Sequence, residues 1–526
     1  MRKSTVFCLL TFLLLAACAK DDISQVPEDP SQPQEQPQEQ PQEHPQEPAV
    51  DPGMGTDLLS FSVRVGGKTY DAFCPSGKEL TVIVPKGMDL THLVAVFTHN
   101  AESVTVKNVP QESGVTENDF SGFRFGLTYH LASRDGKTMD YTVRVIDTQL
   151  PVVAVTTVEP GKIKSKTTWR DAGIKILNTD GTVSDLGATQ IRGRGNWTWD
   201  KYPKKPYALK LGTKQPVMGM PAHKRWCLLA LYRGFIGNPL MFEATRRAPA
   251  LGWSPRGCFV ELVLNGKFQG LYYLCEQIKI DENRVNITKL KKTDLTAPAV
   301  TGGYLLEYDE VFDEPYKFTS SEFNLPVQLK SPDDSVPDAQ FNYIRSFIND
   351  MEKELKKIGK GESRYTDYLD MENFAEYWMV LESITNYEAY KPRSVKMYKG
   401  RDGVDSPKGT VCKLKAGPLW DQELFLVDHT FNTKDAHYFK YLFKDPAFVA
   451  AVKAHWKTYK SNLLGNDKYK SFVDYLNDIV ALIDGSAQRD LQFWGNDYFT
   501  FEEEVATVRN GFVSKIQWMD GKINSF

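Results

Sequence analysis

Asp421 and Glu423 stand two residues apart in the run Gly417-Pro418-Leu419-Trp420-Asp421-Gln422-Glu423. On an extended segment, residues i and i+2 project to the same side. Two carboxylates pointing one way suit a hard divalent cation such as Mg²⁺ or Mn²⁺, which takes oxygen ligands. Alone, the pair reads more simply as two solvated acids at a strand end. A second run, Ile191-Arg192-Gly193-Arg194-Gly195-Asn196-Trp197-Thr198-Trp199, is glycine-rich and basic. Glycines let backbone approach an anion, and Arg192 and Arg194 carry the planar fork that grips phosphate. Lys204-Lys205-Pro206-Tyr207-Ala208-Leu209-Lys210-Leu211 then enters an alternating strand, from which a lysine would reach nucleotide phosphates. The simpler reading is a hairpin with exposed basic side chains. No Ser-His-Asp set, dinucleotide-binding fingerprint or HExxH motif competes, and the eight histidines lack metal-ligand spacing.

Elements must position these groups. Phe259 to Glu276 reads as a β-hairpin, with alternating apolar residues around the two-residue turn Asn265-Gly266. Phe374, Tyr377, Trp378, Leu381 and Ile384 fall at helical spacing. Phe439, Leu442 and Phe443 suggest another packed helix, followed after Pro446 by Phe448, Val452 and Trp456. Phe472, Tyr475, Leu476, Ile479, Leu482 and Ile483 make one more. Strands first and helices later imply an α+β domain over residues 151–526, β-rich at its start and helical at its end. Residues 56–150 predict a small all-β sandwich of immunoglobulin-like type, from runs such as 59–65, 80–85, 93–97, 104–106 and 141–146. Nothing in it looks catalytic, so a spacer role is expected.

At 526 residues the chain is too long for one core, and two or three domains are expected. A formal net charge of -3 supplies no bulk attraction to nucleic acid or an anionic membrane, and nucleic acid is not expected as a partner. Residues 1–17 read as a signal peptide: Arg2 and Lys3, an apolar run from Val6 to Ala17, then Cys18 after Leu15-Ala16-Ala17. That pattern resembles a bacterial lipobox and makes Cys18 the lipidated first mature residue, anchoring the chain to a membrane. Lys20-Asp21-Asp22 resembles the export signal of surface lipoproteins, so the expected location is the cell envelope, at the outer membrane and exposed on its surface. Residues 18–55 are a tether rich in Pro, Gln and Glu, too poor in apolar side chains to order. The remaining cysteines, Cys74, Cys227, Cys258, Cys275 and Cys412, read as buried free thiols, with a Cys227–Cys258 or Cys258–Cys275 disulfide left open.

The ordered motifs Arg-Gly-Arg-Gly-Asn-x-x-Trp, Lys-Lys-Pro-Tyr, Asn-Gly-x-x-x-Gly-x-Tyr, Asn-x-Glu and Gly-Pro-x-Trp-Asp resemble the spore coat protein CotH kinase family over roughly residues 150–510. The resemblance implies a two-lobed, atypical protein-kinase-like fold that transfers the γ-phosphate of ATP to protein hydroxyls with Mg²⁺ or Mn²⁺. It implies that Glu388, in Asn386-Tyr387-Glu388, orients or deprotonates the acceptor hydroxyl. Asp421 looks like the metal-binding aspartate, and Glu423 stands where the family usually has a second Asp. Arg192, Arg194 and Asn196, with Lys205 or Lys210, would hold the nucleotide phosphates. Glu243, on a helix expected at 239–247, would pair with that lysine, and Glu276 would lie beside the adenine. Two departures mark this chain: Asp-Gln-Glu replaces Asp-x-Asp, and Leu231-Tyr232-Arg233-Gly234-Phe235-Ile236-Gly237-Asn238 lacks the family's Asp and Arg. They leave a second reading open, a weakly active or inactive kinase-fold surface protein serving attachment, ligand binding or envelope assembly. The protein acceptor is not named by the sequence.

Overall fold

The computed structural model describes residues 53–73, 77–496 and 498–526. Cys18, Cys74, the apolar N-terminal run and the Pro/Gln/Glu-rich segment lie outside them. Among the described residues no helix is long and apolar enough to cross a membrane.

The runs expected to be strands near the N-terminus are strands. They belong to β1 (Met54–Val65), β2 (Lys68–Phe73), β3 (Glu79–Pro85), β4 (Leu93–Ala101) and β5 (Ser103–Val106). After them come β6 (Val109–Pro110), β7 (Glu117–Asn118), β8 (Leu127–Ala132) and β9 (Thr138–Thr148). Two separate sheets are expected of a sandwich; here β2 pairs with both β1 and β3, so all nine strands form one hydrogen-bonded order, β6-β5-β8-β9-β3-β2-β1-β4-β7. Phe61, Phe97 and Tyr129 pack ring against ring in its core. This unit is docked on the β-structure C-terminal to it. Ile83 and Ile146 share an apolar cluster with Val152, Val263 and Phe268. Thr81 Oγ1 donates to the Gly266 carbonyl at 2.8 Å, and Lys267 pairs with Glu79 at 2.8 Å. The β-rich unit therefore grips the tip of the 259–276 hairpin.

That hairpin belongs to a closed barrel. Its strands are β10 (Val152–Thr157), β11 (Arg170–Leu177), β12 (Val183–Gly193), β13 (Tyr207–Val217), β14 (Met220–Ala230), β15 (Gly257–Leu264) and β16 (Lys267–Glu276). They run in the order β10-β11-β12-β13-β14-β16-β15, and parallel pairing of β10 with β15 closes the ring. Alternation decides what faces inward: Tyr207, Leu209, Leu211, Trp226, Leu228, Tyr272 and Leu274 fill the barrel. Asn265 and Gly266 take φ of 53° and 78°, the left-handed pair that a two-residue hairpin turn requires. A one-turn helix, α1 (Trp197–Lys201), interrupts the β12–β13 connection, so the basic run is a loop and not a tight hairpin. The helix α2 (Gly237–Arg246) joins β14 to β15.

The rest of the chain is mixed. The strands β17 (Tyr304–Tyr308), β18 (Lys317–Thr319), β19 (Pro326–Ser331), β20 (Val395–Lys399) and β21 (Lys415–Ala416) form a sheet in the order β18-β19-β17-β20-β21. Around it lie α3 (Asp338–Lys357), α4 (Met371–Ser383), α5 (Phe439–Leu442), α6 (Pro446–Leu464), α7 (Phe472–Trp494) and α8 (Phe501–Asn524). Phe374, Tyr377, Trp378, Leu381 and Ile384 are all buried, as their spacing requires, and one large core joins them to the outer face of β14 and β16. Leu482 departs from the expected stripe. It is 42% exposed, because Ile479 and Ile483 already occupy the inner face of α7. The fold is thus α+β, β-rich early and helical late.

Three buried ionisable side chains tie the barrel and the segment after β14 to the helices. Lys204 is fully buried and donates to Asp490 of α7 at 2.7 Å, and also to the carbonyls of Leu231 and Leu271. Asp490 accepts from the Leu271 backbone N–H at 2.9 Å. Gly270 makes this approach possible: a Cβ there would lie 2.0 Å from Asp490 Oδ1. Glu504 of α8 is buried and accepts the backbone N–H of Phe235 at 2.8 Å, at the start of α2.

Candidate functional site

A cleft of about 1240 Å³ opens beside the barrel, walled by the 192–198 loop, the 230–234 segment, β17, the 385–396 segment and the 420–426 loop. It brings together Arg192, Arg194, Asn196, Glu388, Asp421 and Glu423, six of the residues singled out from the sequence. It does not bring in Lys205, Lys210, Glu243 or Glu276, none of which lines it. Lys205 turns away and donates to the Trp199 carbonyl. Lys210 lies in mid-strand opposite Arg225. Glu243 is held within its own helix region by Arg246 and Arg247, each at 2.9 Å. Glu276 is fully buried between Arg256 at 2.9 Å and Arg284 at 3.7 Å. Glu243 and Glu276 are ion-pair residues here, Lys210 a strand residue and Lys205 a loop residue bonded to a backbone carbonyl.

The acidic wall is assembled by hydrogen bonds rather than by a strand. Asp421 takes φ of 73°, so the segment is not extended and the i, i+2 expectation does not describe it. Gln422 does the positioning instead. Its side chain is buried, accepts from Asn386 Nδ2 at 2.7 Å and donates to the carbonyls of Ile384 at 3.1 Å and Leu424 at 2.8 Å. Its backbone N–H donates to Asn238 Oδ1 at 3.0 Å. Asn386 in turn caps the short turn Tyr387–Ala389 by accepting from the Ala389 N–H at 2.9 Å. One amide thereby ties Glu388 to the loop that carries Asp421 and Glu423. Thr385 and Ser394 also have left-handed φ, 53° and 51°, and both line the cleft. Non-glycine residues held there are strained and collect where the surroundings over-determine the backbone.

The electrostatics arise from this crowding. Burial, then the neighbouring Asp421 charge, raises the carboxyl of Glu423 to about 7. The same two causes raise Glu388. Glu423 accepts from the Tyr202 hydroxyl at 3.0 Å, and Asp421 from the Ser394 hydroxyl at 3.3 Å. Among the described residues neither makes a salt bridge, whereas Glu388 faces Arg393 at 3.9 Å. Among the described residues no group of three or more His, Cys, Asp or Glu is close enough to form a metal cage. Mg²⁺ rarely uses such a cage. It takes one or two carboxylates, keeps water, and completes its shell with substrate phosphates. Hard oxygen donors without cationic partners fit that donor set.

Three arginines besides Arg393 also line the cleft. Arg194 lies over the Trp420 ring at 5.3 Å and Arg192 over Trp169 at 4.6 Å. Arg233, which sequence reasoning passed over, lies over Tyr498 at 4.3 Å and also lines the cleft. Stacking on an aromatic face holds a guanidinium's plane while leaving its N–H edge free for an anion. The segment 231–238 lacks the family's Arg at its end but supplies this one four residues before Gly237. Close packing sets its position: a Cβ on Gly234 would lie 2.4 Å from the Glu423 carbonyl, and one on Gly237 would lie 2.3 Å from that of Gln422. Glycines at 234 and 237 therefore let the 231–238 segment lie directly against the acidic loop.

Glu504 anchors the same segment and carries a pH signature. Burial raises its carboxyl to about 7, against the stabilising backbone N–H groups of Phe235, Ile236 and Gly237. A carboxyl raised in the folded state contributes stability that is complete below about 4.5 and is lost as pH rises through about 7. Glu504→Gln is therefore expected to melt close to the wild type at pH 5 and to be the more stable form at pH 8.5, by about 3 kcal/mol. Thermal midpoints of both proteins across that range check this, and parallel pH curves would refute it.

The profile of the CotH kinase protein family matches residues 191–518. Comparison with curated proteins found no match. Among solved structures, the chain is similar to a crystal structure from Bacteroides thetaiotaomicron, provisionally described as a glycoside hydrolase, at 17% identity, covering 52% of this chain and 66% of that one. The TM-score is 0.17, too low to show a shared fold. The family match contains every element that walls the cleft from Arg192 to Tyr498, and on it the chain belongs to the CotH kinase family.

Proposed function

We propose that the cleft binds a nucleoside triphosphate, ATP, with Mg²⁺ or Mn²⁺ and transfers its γ-phosphoryl group to a protein hydroxyl. The observation that carries this reading is the meeting of Glu388, Asp421 and Glu423 with Arg192, Arg194 and Arg233 around one cleft. Phosphoryl transfer requires positioning and charge neutralisation more than covalent chemistry. A bound cation would neutralise triphosphate charge, with Asp421 its first ligand and Glu423 its second. Arg194 and Arg233 would hold phosphate oxygens by their free guanidinium edges, with Arg192 and Asn196 at the loop end. Asn196 already accepts from Lys166 at 2.9 Å, which adds a further cation to that end. Glu388 would take or orient the acceptor hydroxyl's proton; its raised carboxyl is closer to neutral pH than an ordinary glutamate and so better matched to proton transfer.

In this reading the barrel and its loops form the nucleotide-facing lobe, and β17–β21 with α3–α8 form the catalytic lobe of a kinase-like pair. The nine-stranded unit is read as an immunoglobulin-like spacer. Lipidation at Cys18 would place the body on the cell envelope, at the outer membrane surface.

Incubating the purified chain with γ-labelled ATP and Mn²⁺ tests the activity: label is expected on the chain itself or on a generic protein acceptor. Nucleotide binding without transfer would instead favour a surface protein that uses the fold for attachment or assembly. Arg233→Ala is expected to weaken ATP binding about tenfold, since a hydrogen bond to a charged group contributes about 1.5–3 kcal/mol. Unchanged affinity would remove Arg233 from the site.

A further inference from the structure

Antiparallel pairing of β14 with β16 sets Cys227 directly opposite Cys275. Alternation separates their side chains from the barrel interior. Trp226, Leu228 and Leu274 belong to the core inside the barrel, while Cys227, Leu229, Tyr273 and Cys275 belong to the core outside it. The two thiols therefore share one face of one strand pair. Cys258 does not join them: it faces the interior core and contacts Met218 Sδ at 3.4 Å. The Cys227–Cys258 and Cys258–Cys275 pairings left open by the sequence are closed off, because the sheet itself stands between those side chains.

Directly opposed residues of an antiparallel ladder have Cα atoms about 4.5–5.5 Å apart. Disulfides span Cα separations of about 4.4–6.8 Å. Joining Cys227 to Cys275 thus needs side-chain rotation and no strand movement. The two thiols are close enough to influence each other's ionisation. The neighbouring Cys275 thiol, with the nearby charges of Arg194, Arg284 and Lys279, favours the thiolate of Cys227 against its burial, while burial disfavours that of Cys275. Both residues are buried in the sheet, yet Cys227 forms part of the cleft wall, which gives a small reagent a direction of approach.

We propose that Cys227 and Cys275 are a disulfide-forming site served by low-molecular-weight disulfides. The Cys227 thiolate attacks one sulfur of the small disulfide and expels the other as a thiol. Cys275 then gives up its proton and attacks the mixed disulfide at Cys227, expelling the second small thiol. Two protein thiols and one small disulfide become one protein disulfide and two small thiols. The site stands whether or not the cleft is a phosphotransferase.

The test uses the intact, fully reduced chain and 2-hydroxyethyl disulfide, small enough to enter the cleft. After incubation, remaining thiols are alkylated and peptides are mapped by mass. In one arm the folded protein is treated; in the other the urea-unfolded, reduced chain is returned to buffer containing the same disulfide. A peptide linking Cys227 to Cys275, cleaved by dithiothreitol, is expected, with Cys258 alkylated as a free thiol. In Cys275→Ser, Cys227 is expected to stop at the mixed disulfide. The link in either arm supports the site. Both residues alkylated as free thiols in both arms, or carrying separate mixed disulfides in the wild type, would overturn it.

Discussion

Asp421→Asn is expected to abolish the rise in thermal midpoint that ATP with Mn²⁺ produces in the wild type, while leaving the midpoint without ligand nearly unchanged. Asparagine is the right replacement because Asp421 sits at φ of 73°, a region where Asn is tolerated and Ala adds strain. The substitution removes the charge and keeps the shape. Among the described residues Asp421 makes no salt bridge, and its side chain accepts a 3.3 Å contact from Ser394, so little of the fold depends on its charge. A ligand that binds the native state raises the midpoint in proportion to the logarithm of its concentration over its dissociation constant. Losing an outer-shell partner already costs about 10–100-fold in metal affinity, so removing a direct charged ligand is expected to lower affinity for the metal–nucleotide complex roughly 100-fold or more. Relief of repulsion on Glu423 and Glu388 makes a small gain in unliganded stability the only other expected change. A variant that keeps the wild-type ligand shift would detach Asp421 from the cation.

Lys204→Met is expected to cost about 3–5 kcal/mol of stability, because it strands the buried carboxylate of Asp490. Lys204 and Asp490 are both buried and 2.7 Å apart. Burial disfavours both charged forms, lowering the lysine and raising the aspartate to about 6, and the attraction between the two opposes it. The pair joins the segment entering β13 to α7, and Asp490 also holds the Leu271 N–H, so its loss loosens barrel from helices at their contact. The double variant Lys204→Met, Asp490→Asn is expected to recover most of the loss, since the amide keeps an acceptor for Leu271 without a buried charge. Chemical denaturation followed by tryptophan fluorescence reads both. A single variant within 1 kcal/mol of wild type, in the manner of a surface ion pair, would show that the pair does not join the two parts.

The contrast between Lys204 and its neighbour shows how far the sequence could be read. Lys205 and Lys210 look the part of phosphate-binding lysines because they come after a glycine-rich loop and enter a strand. Which lysine is exposed, and to what, depends on Asp490, 286 residues away. Local periodicity was enough for α4, whose apolar spacing is satisfied residue by residue, and for the Asn265-Gly266 turn, whose chemistry is complete in two residues. Ordered motifs were enough to place Glu388, Asp421 and Glu423 around one cleft. They could not reveal Gln422 as the amide that binds those acids together, because its partners are Asn386, Ile384 and Asn238. Arg233 was equally hidden: an isolated arginine after two aromatic or apolar residues has no signature until Tyr498 is seen beneath it. Glu504 sits in the acidic first turn of α8 beside Glu502 and Glu503, and only the fold distinguishes the buried one. Charge pairing across long separations is what the linear pattern omits.

Calorimetric titration of ATP into the intact chain, once with Mn²⁺ and once with EDTA, tests most directly whether the carboxylates and arginines of the cleft form one metal–nucleotide site. Saturable binding with Mn²⁺ that disappears in EDTA is the predicted result. Absence of binding in both solutions, or equal binding in both, would contradict it.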